Sequence, residues 1–78
     1  MNKDMKESLL RAALSQYEST AMSARANLEL YLSHPSGVAE HPDIVDEVVK
    51  LTQKITEAEE NMRTLEHMLS PLPIGLEQ

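Results

Sequence analysis

Two stretches of the chain place an uncharged, mostly apolar residue at alternating steps of four and three. The first series is Leu10, Leu14, Tyr17, Ala21, Ala24, Leu28 and Tyr31; the second is Ile44, Val48, Leu51, Ile55, Ala58, Met62, Leu65 and Leu69. Such steps follow the turn of an α-helix, so each series forms a heptad seam along one helix face. A half-buried strand would need strict alternation instead. Glycine and proline are absent from Met1 to His34. Pro35, Gly37 and Pro42 then follow closely, and Pro71, Pro73 and Gly75 fall at the end. This punctuation predicts a first helix over about 3–33, a loop over about 34–41 and a second helix over about 42–69. Residues 1–70 are thus expected to form a helical hairpin, with 71–78 an irregular tail.

The predicted stops have physical causes. His34 precedes Pro35, which disfavours helical geometry at His34. Gly37 tolerates a positive φ in the turn. Pro42 suits a first helical position, where its missing N–H costs nothing. Asp43, Asp46 and Glu47 then set negative charge at the positive end of the helix dipole. Ser70 precedes Pro71 and ends the second helix.

A short connection makes the helices antiparallel. Pairing the seams outward from the loop sets Tyr31 on Ile44, Leu28 on Val48 and Ala24 on Leu51. Ala21 then meets Ile55, Tyr17 meets Ala58, Leu14 meets Met62 and Leu10 meets Leu65. The register holds from end to end. Each alanine faces a larger residue, as even filling of a core requires. The expected fold is all-α: an antiparallel, coiled-coil-like two-helix hairpin.

A second stripe follows the same steps on the other side of the first helix: Met5, Leu9, Ala12, Gln16, Ser19, Ser23, Ala26 and Leu30. It carries no charge, and its ends are large and apolar. The first helix's charges, Arg11, Glu18, Arg25 and Glu29, gather mainly on one flank. The second helix carries Asp46, Lys50, Lys54, Glu57, Glu60 and Arg63 on its outer surface, with Asp46/Lys50 and Glu59/Arg63 in favourable i,i+4 order. The first helix is therefore expected to be covered on two sides. A lone hairpin has a thin core, and small chains commonly add stability by oligomerising. The stripe predicts a homodimer in which the two first helices cross antiparallel near Gln16 and Ser19. Met5 would lie on Leu30 and Leu9 on Ala26, giving a four-helix bundle.

Composition narrows the function. The chain has 78 residues, a net charge of −6 and no cysteine, so no disulfide or cysteine-based metal site can form. The acidity is uneven: Met1–Glu40 carries four basic and five acidic residues, His41–Gln78 three and eight. Direct nucleic-acid binding through a basic patch is not expected. No segment reads as a membrane span or signal peptide, which points to a soluble protein of the cytoplasm.

Candidate chemistry is sparse. His34 and His41, with Glu40 and Asp43, offer donors that zinc accepts, but their spacing matches no strong ligand motif and they read first as loop or capping residues. No Glu-x-x-His pair suggests a di-iron bundle. His67 reads as solvated. Glu57, Glu59 and Glu60 read as a solubilising run, with a basic partner as the sharper alternative. Tyr17 and Tyr31 read as core residues whose hydroxyls reach the rim. The methionines read as gap-fillers. The tail, Pro71-Leu72-Pro73-Ile74-Gly75-Leu76, is apolar yet cannot be helical. It would dock near Met5 and Met68 or serve as a peptide motif for another protein. Phosphate loops, nucleophile elbows and triads are missing, so neither catalysis nor a cofactor is expected.

The segment Pro35-Ser36-Gly37-Val38-Ala39-Glu40-His41-Pro42-Asp43-Ile44, followed by Lys54-Ile55-Thr56-Glu57-Ala58-Glu59-Glu60, resembles small helical-hairpin proteins of tailed marine phages that carry a similar Gly-x-x-Glu-His-Pro turn. The likeness covers about residues 28–66. It implies a phage or marine origin, supports the hairpin and brings no activity or site residue. The expected function is a non-enzymatic protein-interaction or assembly module, acting as a homodimer or on a heterologous protein. The alternatives are an acidic mimic that masks a basic nucleic-acid-binding surface, or a metal-binding bundle using His34 and His41.

Overall fold

The computed structural model of the chain describes residues 3–33 and 43–70. Among them are two helices, α1 (Lys3–Ser33) and α2 (Ile44–Leu69), and no strand. The helices lie against each other along their length as an all-α antiparallel hairpin. Tyr31 and Ile44 line a groove at one end, Ala24 and Leu51 line another midway, and Leu10 and Leu69 a third at the far end. The predicted loop, with His34, Glu40 and His41, and the tail beyond Ser70 lie outside the described residues.

The helix ends follow local chemistry. α2 begins at Ile44 rather than at Pro42. Asp43 is the N-cap, with φ −107° and ψ 39°, and its carbonyl accepts the first helical hydrogen bond from the Glu47 N–H at 3.0 Å. Pro42, expected at the first helical position, lies outside the described residues. The Asp43 side chain makes no capping bond. At the other end Ser70 is extended, with φ −73° and ψ 128°, as a residue before proline should be. Its N–H still closes the last turn on the Glu66 carbonyl at 2.9 Å.

The core is narrow and centred on alanine. Ala21, Ala24 and Ala58 are each 2% exposed and Leu51 is 9% exposed; no other described residue is buried. Small side chains let two helix backbones approach closely, and larger neighbours close over the contact. Leu10, Leu14, Leu28, Tyr31, Ile44, Val48, Ile55, Met62, Leu65 and Leu69 are half-buried along both sides of this pinch. Tyr17 departs from its expected core position and stays 36% exposed. A ring of that length exceeds what a seam narrowed by alanines can cover, and a tyrosine hydroxyl favours the wet edge.

Two layers of helix leave a large surface. The radius of gyration is 17.2 Å, where a compact domain of this length has about 11.5 Å. The accessible surface is 6115 Å², where a compact monomer of 8.8 kDa has about 4,800 Å².

Ion pairs decorate the edges. Glu7 and Arg11 pair at 3.0 Å one turn apart on α1. Lys50 pairs with Glu47 at 3.9 Å rather than with Asp46, because the longer glutamate reaches it one turn back. Glu59 pairs with Arg25 of α1 rather than with Arg63. Both side chains of that pair directly follow seam alanines, Ala58 and Ala24. Helical side chains lean toward their own N-termini. In an antiparallel pair the two leans converge, so residues far out of register meet.

Candidate functional site

The most extended candidate surface is the outer face of α1. Successive helical residues are separated by 100°, which puts the centre of the Met5-to-Leu30 stripe about 140° from the centre of the seam. The stripe therefore points away from α2. All eight of its residues, Met5, Leu9, Ala12, Gln16, Ser19, Ser23, Ala26 and Leu30, are exposed, with Leu9 at 53% and Leu30 at 57%. It runs about 37 Å along the helix.

The flanks widen this uncharged face. On one side lie Ser8, Ser15, Met22 and Glu29; on the other, Lys6, Ala13, Thr20 and Asn27. The only charges among these are Lys6 and Glu29, near opposite ends. Met22 is 68% exposed. The outer face of α2 is different, with Asp46, Lys50, Lys54, Glu57, Glu60 and Arg63 all exposed. Glu59 does not belong to that free acidic run, since it is half-buried and held by Arg25.

A second apolar surface was not legible in the heptad seams. It is a groove of about 380 Å³ at the end where the helices are connected, lined by Tyr31, Leu32, Ile44, Val45 and Val48. Leu32 and Val45 directly follow seam residues and are 65% and 70% exposed. Their position beside Tyr31 and Ile44 was the available signal: the apolar seam doubles in width there. Val49, also exposed, sits one turn beyond Val45. No family model matches the chain, and no curated protein or solved structure matches it significantly.

His67 is exposed on α2. Asp43 is exposed at the start of α2, while His34, Glu40 and His41 lie outside the described residues. Among the described residues no group of three metal-ligating side chains comes together. Of the two methionines near which the tail was expected to dock, Met68 lines a groove of about 190 Å³ with Lys6, Glu7, Leu10 and Leu69 and Met5 does not; the tail itself lies outside the described residues. No described helix is long and apolar enough to cross a membrane.

Proposed function

We propose that the protein is a non-enzymatic assembly module in which two hairpins join through the outer face of α1. The observation that carries this reading is the exposed stripe from Met5 to Leu30, uncharged and facing away from α2. A two-fold axis near Gln16 and Ser19 makes the stripe complementary to itself. Leu9 then covers Ala26 of the partner, and Leu30 covers Met5. The flanks agree with this arrangement: Ser8 and Ser15 approach Glu29 and Met22 across one side, with no like charges opposed. Pairing also withdraws Met22 from water, and association through a face of this kind offsets the thin core.

A mimic of acidic nucleic acid is less well supported. Lys50, Lys54 and Arg63 interrupt the carboxylates of α2's outer face, so that surface is mixed rather than continuously negative. Light scattering across a dilution series tests the proposal. The expected mass is twice that of the 8.8 kDa chain, and Leu9→Glu should return it to a single chain. A wild-type mass of one chain at every concentration, or a Leu9→Glu mass equal to wild type, overturns it.

A further inference from the structure

The groove midway along the hairpin differs from the others in what lines it. Its floor is Ala24 and Leu51, and its walls are Ser19, Thr20, Ser23 and Asn27 from α1 and Lys54 from α2. Three hydroxyls, an amide and an ammonium thus share one opening of about 240 Å³, and no carboxylate lines it. Hydroxyls on a helix commonly bond the carbonyl one turn back. Thr52 and Thr64 do so, at 2.8 and 3.2 Å. Ser19, Thr20 and Ser23 make no such bond, and the side chains of Asn27 and Lys54 have no hydrogen-bond or ion-pair partner among the described residues. Glu57 lies one turn beyond Lys54, on the outer face of α2, and no ion pair joins the two. Lys50, one turn before Lys54, pairs with Glu47.

We infer that this groove binds a phosphate group, free or carried as the ester of a small molecule. The sign follows from the lining, whose only full charge is that of Lys54. All five polar side chains can donate hydrogen bonds, and a lysine can do nothing else. A phosphate ester presents three strong acceptor oxygens and a carboxylate two, so donors arriving from two helices suit the larger anion. Lysine serves such a group as a point charge, with the neutral donors fixing its place. Size limits the rest of the molecule. Pockets for drug-sized ligands span roughly 300–1,000 Å³, and this groove is smaller. The net charge of −6 does not cancel the site, because at physiological salt exposed charges more than about 8 Å away are largely screened. The inference does not rest on the pairing of α1 with its copy. Ser19 and Ser23 belong to the stripe, whereas Thr20 and Asn27 flank it on the side toward α2 and, with Lys54, stay open when two stripes join.

The test is a titration of isotope-labelled full-length protein with inorganic phosphate and, separately, with glycerol phosphate, each compared with sodium chloride at matched ionic strength. Backbone amide shifts around Ser19, Thr20, Ser23, Asn27 and Lys54 should saturate with a phosphate probe and not with chloride. Tighter binding of glycerol phosphate assigns the groove to an ester, and tighter binding of inorganic phosphate assigns it to the free anion. Lys54→Gln should weaken binding about tenfold, the loss of one hydrogen bond to a charged group. Lys50→Gln removes the same charge from the outer face of α2 and should change binding by less than about twofold. Both lysines are exposed, so the amide spectrum without phosphate should keep the pattern of the wild-type fold. Shifts that never saturate with either probe, or shifts centred on another face, overturn the proposal. Equal losses from Lys54→Gln and Lys50→Gln overturn it too, because the anion would then answer to the charge of the surface and not to this groove.

Discussion

Leu51 is the largest side chain among the buried residues, and its truncation measures how much the narrow core contributes. Leu51→Ala removes three carbon atoms from a site 9% exposed. At about 0.8 kcal/mol per carbon the lost transfer energy is about 2.4 kcal/mol. A residual cavity adds to this in a deep core. Here Leu51 lies opposite Ala24 in a structure two helices thick, so the helices close part of the gap and water enters the rest. The expected loss is about 2.5–3 kcal/mol, near the lower end of the range for leucine truncations. For a chain of this size each kilocalorie moves the melting temperature by about 4–8 °C, so a fall of about 10–20 °C is expected. Circular dichroism melting at fixed protein concentration is the assay, because pairing of the kind proposed would make the midpoint depend on concentration. Leu32→Ala is the internal control. It removes the same atoms from a site 65% exposed and should cost about 1 kcal/mol or less. Equal shifts for the two variants, or a Leu51→Ala shift below about 3 °C, would refute the placement of the core at the central alanines.

Other expectations follow from single features. Amide exchange should be slowest around Ala21, Ala24, Leu51 and Ala58 and should quicken toward both ends of each helix. A double-mutant cycle with Arg25→Gln and Glu59→Gln should give a coupling below about 1 kcal/mol, since both side chains are about half exposed, and about 1 M salt should remove it. A coupling that survives salt would count against a solvent-screened pair. Asp43→Ala should cost less than about 0.5 kcal/mol, short of the usual loss of about 1 for an N-cap, because its side chain makes no capping bond. A full capping loss in the melt would mean that the bond forms in solution.

Much of the hairpin was legible because its determinants are local and periodic. The stretch without glycine or proline from Lys3 to Ser33 is the whole of α1, and Ser70 before Pro71 ends α2. The start of α2 was less legible, because a proline suits the residue before a cap nearly as well as the first turn. The partner of Glu59 was not legible at all. Along α2 the nearest cation is Arg63, one turn on. Only the converging lean of side chains in an antiparallel pair brings Arg25 to it. The groove escaped for a related reason. Leu32 and Val45 fall outside the four-and-three spacing, so a search for seams passes over them, whereas the folded shape joins them to Tyr31, Ile44 and Val48. The stripe on α1 was visible as a pattern, and its exposure is a property of the fold alone.

The alanine pinch bears on how such a protein changes over generations. With only Ala21, Ala24, Leu51 and Ala58 buried among the described residues, selection for folding acts strongly at few of these positions. Surface substitutions elsewhere mostly stay within about 0.5 kcal/mol. Sister sequences can thus drift far in identity while each keeps three small residues where the backbones touch. Kinship in a lineage like this is carried by the rhythm of small and large residues, and any surface that stays fixed against that drift is held by something other than folding.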